Sequence, residues 1–153
     1  MAESNSAGQR SRPRVLVAGT PDAVAALIEA VRDGAEIVPA YSVNEALAEL
    51  EASEFDTVAC NVRFDESRMF EFLQLLTERK PGHAARVVAF RADESPLTQS
   101  IRSAIRHALE ALGVERFVDL SQLRAEYGEE VAYEALRKIV LDRTFMPPAP
   151  AGQ

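Results

Sequence analysis

Residues 40–61 read AYSVNEALAELEASEFDTVACN, an amphipathic helix that leads into a buried strand. Ser42 and Glu45 have the spacing of a capping box, and apolar side chains then recur at helical intervals as far as Leu50. Residues 57–62 form a mostly apolar run, which is typical of a strand covered on both faces. A helix that leads directly into such a strand is a repeating unit of α/β folds.

The same alternation continues on both sides of this stretch. Apolar runs predict strands at residues 15–18, 36–41, 57–62, 86–90 and 116–120. Helical spacing predicts helices at residues 20–34, 42–50, 69–76, 95–113 and 129–143. Ser95-Pro96 caps the fourth helix in this interpretation. Because each helix returns the chain in the same direction, the five strands form one parallel sheet with helices on both faces. Ligand sites in such sheets lie at the carboxyl ends of the strands.

Length and composition indicate one soluble domain. The chain has 153 residues, of which 47% are hydrophobic, and this suffices for one core. The single cysteine, Cys60, cannot form an internal disulfide, and with two histidines it cannot build an ordinary zinc site. A net charge of −7 disfavours nucleic-acid binding. Since no apolar stretch resembles a signal or a membrane span, we expect a cytoplasmic protein with a disordered leader at 1–13, a domain at 14–143 and a Pro-rich disordered tail at 144–153.

Residues 40–50, followed by FDTVACN at 55–61, resemble the second helix and third strand of the receiver domain of bacterial two-component response regulators, the CheY-like family. The resemblance covers about residues 14–142 and depends more on the order of elements than on rigid motifs. It implies a single three-layer α/β/α domain of the flavodoxin/CheY-like type. The implied sheet is parallel and five-stranded, in the order 2-1-3-4-5, with five flanking helices.

The resemblance places the family's phosphorylation chemistry on residues that cannot perform it. The phosphoacceptor aspartate falls on Asn61, whose amide is a very poor nucleophile. The Mg²⁺-binding acidic pair falls on Gly19 and Thr20. The hydroxyl residue falls on Arg91, and the small residue after it falls on Ala92. The lysine falls on Leu120. Without carboxylates there is no preferred Mg²⁺ site, so we expect no metal, no cofactor and no enzymatic activity. The chain is interpreted as a degenerate pseudo-receiver.

Arg91 adds a permanent cation to this degenerate pocket. We expect it to point into solvent, as loop arginines commonly do. The competing hypothesis is that it pairs with Asp65 or Asp93 and locks one conformation, and a bound anion is a third possibility.

The expected function is that of a stand-alone, phosphorylation-independent module for protein–protein interaction in bacterial signal transduction. The partner is a signalling protein or a second copy, bound through the fourth helix, fifth strand and fifth helix, with no nucleic acid or membrane. The residues assigned to this face are Arg102, Arg106, Phe117 and Arg137. An ordinary solvated face would also explain the charges, and Phe117 matches either the family's switch aromatic or a core residue. The alternative function is a small-molecule or anion sensor that uses the degenerate pocket.

Overall fold

The computed structural model describes residues 12–79, 85–114 and 116–142. The sequence prediction of a disordered leader falls mainly on residues outside these ranges, and the predicted tail lies entirely outside them.

The sheet confirms the predicted fold class. Its strands are β1 (Arg14–Ala18), β2 (Glu36–Ala40), β3 (Thr57–Asn61), β4 (Arg86–Arg91) and β5 (Arg116–Asp119). They pair in parallel in the order β2-β1-β3-β4-β5. Pro39 lies on β2, at one edge of the sheet, where a missing backbone N–H is tolerated. The carboxyl ends of all five strands therefore meet along one edge, as the sequence predicts.

The described ranges contain seven helices, whereas the sequence predicts five. Their bounds are α1 (Pro21–Val31), α2 (Val43–Ala52), α3 (Phe64–Ser67), α4 (Met69–Arg79), α5 (Gln99–Ala111), α6 (Leu120–Tyr127) and α7 (Glu129–Leu141). The short α3 is a left-handed turn in which three successive residues have φ of 52°, 58° and 69°. The other addition is α6, which Asp119 caps and which Gly128, at φ 94°, separates from α7.

Local capping signals explain where most helices begin. Thr20 Oγ1 accepts the Ala23 N–H at 3.2 Å, and Ser42 Oγ accepts the Glu45 N–H at 3.1 Å, as the sequence predicts. The predicted cap Ser95-Pro96 is wrong, because α5 begins three residues later with Thr98 as its N-cap.

Helices on the two faces of the sheet enclose two hydrophobic clusters. One cluster joins α1, α6 and α7 to the sheet, and the other joins α2, α4 and α5. Cys60 is fully buried in the second cluster, and this burial raises the pKa of its thiol. No helix within the described residues has the length and apolar character needed to cross a membrane.

Helix α5 is held differently from the other long helices. Among its thirteen residues, all of them described, only Leu109 is buried. Its apolar side is only partly covered, because Ile105 also packs against the second cluster whereas Ile101 is 51% exposed. Arg102 and Arg106 face the sheet as well, where they contact β5 side chains.

Candidate functional site: the carboxyl edge of the sheet

Asn61, the residue at the phosphoacceptor position, ends β3 and is 1% exposed. Its Oδ1 accepts the backbone N–H of Thr20 at 3.5 Å, and its Nδ2 donates to the backbone carbonyl of Phe90 at 3.4 Å. The amide thus links β3 to the chain after β1 and to β4. Both ends of the amide are engaged, so the side chain serves as a structural connector at this edge.

Gly19 and Thr20, at the positions of the family's acidic pair, lie directly against Asn61. A Cβ added at Gly19 would lie 3.0 Å from the Asn61 Cβ, so this position admits no ordinary side chain without a shift. Thr20 already uses its hydroxyl to cap α1. Within the described ranges, no three His, Cys, Asp or Glu side chains lie close enough together to hold a metal ion.

Arg91 does not point into solvent, so the expectation for its side chain is wrong. Its side chain is 4% exposed and pairs with Asp119, with 3.2 Å between Nη1 and Oδ1. Nη2 donates to the carbonyl and hydroxyl oxygens of Ser95 and lies 3.8 Å from Asp93. The pairing arises because Arg91 and Asp119 are register partners at the ends of β4 and β5. Asp65, the other suggested partner, instead accepts the N–H of Val43 and pairs with Arg68.

Asp119 is the important site residue that the sequence analysis missed. It accepts Nη1 of Arg91 at 3.2 Å and Nε of Arg102 at 3.5 Å. It also accepts the backbone N–H groups of Ser121 and Gln122, which begin α6. An aspartate between an apolar run and a following Ser-Gln pair is a recognisable N-cap signal, but the apolar run alone predicts that Asp119 belongs to the strand. We name the three side chains Arg91, Arg102 and Asp119 the arginine–aspartate cluster.

The predicted pocket is divided between the two faces of the sheet. Asn61 on β3 lies opposite Phe90 on β4 in the strand register, and Phe90 belongs to the cluster beneath α1 and α7. Arg91 follows Phe90, so its side chain leaves the sheet on the opposite face, towards α5. Ala92 packs against the α1 and α7 cluster, and Leu120 is a fully buried member of it. Leu120 is also the first residue of α6 and not part of a strand, because Asp119 caps the helix there. The structure thus joins Gly19, Thr20 and Asn61, and separates Arg91 from them.

The four residues assigned to the partner face do not form one exposed surface. Arg102 is bonded within the arginine–aspartate cluster, with its side chain 13% exposed. Phe117 is buried and so is not part of an exposed surface, and the Arg106 guanidinium lies 5.4 Å from its ring centroid. Burial lowers the pKa of Arg106, and the charge of Arg102 lowers it further. Arg137 donates to the carbonyl of Val31 at 2.7 Å, at the end of α1.

A groove of about 660 Å³ lies away from this edge, between α1 and α7. None of the residues predicted for the degenerate pocket lines it; its walls include Glu29, Asp33, Glu130, Glu134 and Arg137. The sequence analysis did not identify this groove, because it forms where two helices 98 or more residues apart in the chain meet.

Comparison with solved structures identifies the same fold in receiver domains. The chemotaxis response regulator CheY4 of Vibrio cholerae matches with a TM-score of 0.61 at 17% identity, over 85% of this chain and all of that one. The phosphorylated cyanobacterial phytochrome response regulator RcpA matches with a TM-score of 0.65 at 16% identity, over 90% of this chain and all of that one. The receiver domain of the Francisella response regulator 1452 gives 0.56 at 17% identity, over 84% and 98%.

These similarities show the fold: the chain has the CheY-like, flavodoxin-type arrangement of the receiver domains of bacterial response regulators. No protein-family model matches the sequence, and no curated protein sequence matches it.

Proposed function

We propose that this chain is a pseudo-receiver that acts without phosphorylation as a protein–protein interaction module in bacterial signal transduction. The observation that carries the proposal is the state of Asn61. At the end of β3, where an active receiver has its phosphoacceptor, stands a buried amide bonded at both ends. Arg91, at the hydroxyl position, forms an ion pair with Asp119. Leu120, at the lysine position, is buried in the core. Fold alone does not define function, and these side chains distinguish the chain from an active receiver.

The absence of phosphotransfer is tested directly. The full chain is incubated with Mg²⁺ and acetyl phosphate, and its intact mass is measured. RcpA, whose structure was solved in the phosphorylated form, is the positive control. We expect no added phosphoryl group on this chain. A phosphoryl adduct that disappears when Asn61 or a neighbouring residue at the carboxyl edge is substituted would contradict the proposal.

The exposed stripe of α5 supports the interaction role. Ile101 and Ala104 are exposed and Ala108 is partly exposed, at spacings that align them along one side of the helix. They lie beside Ile105, which packs against the second cluster. An apolar stripe left open to water is unfavourable unless another surface covers it. The stripe belongs to α5, which corresponds to the fourth predicted helix and therefore to the partner face expected from the sequence. We expect the partner, a signalling protein or a second copy, to cover it.

A pair of matched variants locates the interaction. Ile101→Glu places a charge in the stripe, whereas Ile28→Glu places the same charge at another exposed helical isoleucine, 45% exposed on α1. Tagged wild-type protein and both variants are used for affinity capture with mass spectrometry and for sedimentation analysis. We expect Ile101→Glu to abolish the capture of a specific partner or self-association, and Ile28→Glu to preserve it. Equal behaviour of the two variants would exclude the α5 stripe as the contact.

The ligand-sensor alternative has less support. It requires Arg91 to face a pocket shared with Gly19, Thr20 and Asn61. The Arg91 guanidinium is instead occupied by Asp119 and Ser95 on the other face of the sheet.

A further inference from the structure

We infer that the arginine–aspartate cluster is a permanent clamp that fixes the β4–α5 connection, residues 92–98, and thereby holds the α5 stripe in one position. This inference concerns regulation and rests on the proposed function. It explains how an interaction face could stay in its binding arrangement with no phosphorylation signal.

The connection is attached to its surroundings at several points. Nη2 of Arg91 donates to the carbonyl and hydroxyl oxygens of Ser95. Nη2 of Arg102 donates to the Leu97 carbonyl at 3.1 Å, and Oγ of Ser121 donates to the Glu94 carbonyl at 3.2 Å. A segment without regular structure thus has three of its seven backbone carbonyls bonded to side chains from β4, α5 and α6. Each contact restricts a loop that would otherwise sample many conformations.

Asp119 joins these attachment points into one unit. Its carboxylate holds Arg91 from β4, Arg102 from α5 and the first N–H groups of α6. The carboxylate is 1% exposed, and the Arg91 side chain 4%. To release the connection, water would have to replace a buried ion pair, and a buried charge left without its partner is strongly unfavourable. The arrangement in which Asp119 holds both arginines is therefore the dominant one.

The same cluster contributes to the orientation of α5. Arg102 of the cluster and Arg106 face β5, and Leu109 is buried in the second hydrophobic cluster, so Ile101 is left exposed. Arg106 covers the ring of Phe117, which lies buried below it. A bistable element needs two arrangements of similar free energy, and the contacts of Arg102, Arg106 and Leu109 all belong to one arrangement.

Hydrogen exchange with mass spectrometry on the full chain tests the clamp. In the wild type we expect strong protection of residues 101–111, whose N–H groups are bonded within α5 or to its N-cap, because the clamp holds the start of this helix. Arg91→Met and Asp119→Asn should each increase exchange there by about tenfold or more, with α2 unchanged. Arg91→Lys keeps a positive charge but has one nitrogen in place of the two that contact Asp119 and Ser95, so it should loosen the segment in a folded protein.

Arg63→Met is the matched control. Arg63 pairs with Asp93 at 3.3 Å, but its side chain is mostly exposed and does not contact Asp119. We expect almost no change in exchange from this variant. If Arg91→Lys and Arg91→Met exchange no faster than Arg63→Met, or if the wild-type segment already exchanges like an unstructured peptide, the clamp inference is wrong.

The outcome is separable from that of the proposed function. Exchange is measured on the isolated protein, whereas the function is judged by the effect of Ile101→Glu on capture or association. If the segment is protected but Ile101→Glu has no effect on capture or association, the clamp inference stands and the interaction face is refuted. If the segment is unprotected but Ile101→Glu abolishes capture or association, the clamp inference is refuted and the interaction face stands.

Discussion

The Arg91–Asp119 pair should make a measurable coupling contribution to stability. Asp119→Asn is the informative change, because asparagine caps helices about as well as aspartate and so keeps the start of α6. The substitution removes the charge that neutralises a buried guanidinium. Breaking a buried pair costs about 3–5 kcal/mol, and we expect the lower end, about 3 kcal/mol, because Asp93 and the Ser95 carbonyl still contact Arg91.

Arg91→Met should cost less than Asp119→Asn. The carboxylate would keep Arg102 at 3.5 Å and the N–H groups of α6, so we expect a loss of about 2 kcal/mol. The double variant removes both charges of the pair together, so neither of them is left buried without the other. The total loss should then be about 3 kcal/mol. The coupling between the two sites is then about 2 kcal/mol, within the range seen for contacting residues.

Urea unfolding followed by far-UV circular dichroism gives these values, since the chain has no tryptophan for fluorescence. Each loss is a large part of the stability of a domain of this size. A coupling below about 0.5 kcal/mol would refute the reasoning, because it would mean that the two side chains do not sense one another in solution.

Three further predictions concern single positions. Ser67→Gly should stabilise the protein by about 0.5 kcal/mol in urea unfolding, because Ser67 has a φ of 69°, whereas the helical Ser100→Gly should destabilise it by about 0.5 kcal/mol. Arg86→Met should cost about 3 kcal/mol in the same assay, since the buried guanidinium bonds two carbonyls at the end of α7, whereas the exposed Arg68→Met should cost under about 1 kcal/mol. Cys60 should not react with a thiol reagent between pH 7 and 9 until the chain is unfolded in urea. Burial raises the pKa of its thiol and keeps the thiolate scarce across that range. Rapid labelling of the folded protein would show that the thiol is accessible.

The sheet could be predicted because its signals are local. Each strand is a short apolar run, and caps such as Thr20 and Ser42 act within three residues of themselves. The hydrophobic period therefore predicts the fold class without any contact between distant residues. The same local reasoning failed at Ser95, which resembles a cap in the sequence but is bonded by Arg91; α5 starts later, at Gln99, with Thr98 as its N-cap.

The arginine–aspartate cluster could not be predicted, because it depends on register. Arg91 and Asp119 are 28 residues apart and meet only because β4 and β5 pair with these residues opposite one another. Apolar periodicity alone turns Ile101 towards the core together with Leu109, but only Leu109 is buried, and Ile101 is 51% exposed. Arg102 bonds to the buried Asp119, so the side of α5 that faces the sheet carries a charged contact beside the apolar one.

Restoring phosphotransfer would require more than an aspartate at position 61. In Asn61→Asp, the N–H donor that faces the Phe90 carbonyl at 3.4 Å becomes an oxygen, so two acceptors meet in a buried place and we expect a loss of about 1–3 kcal/mol. The new carboxylate would still lack a neighbouring acid for Mg²⁺, and a larger residue at Gly19 would collide with the side chain at 61. We therefore expect Asn61→Asp to be less stable in urea and still to gain no phosphoryl group from acetyl phosphate. A phosphoryl adduct on this variant would show that one substitution is enough to restore phosphotransfer. It would also show that the packing around position 61 does not prevent that reaction.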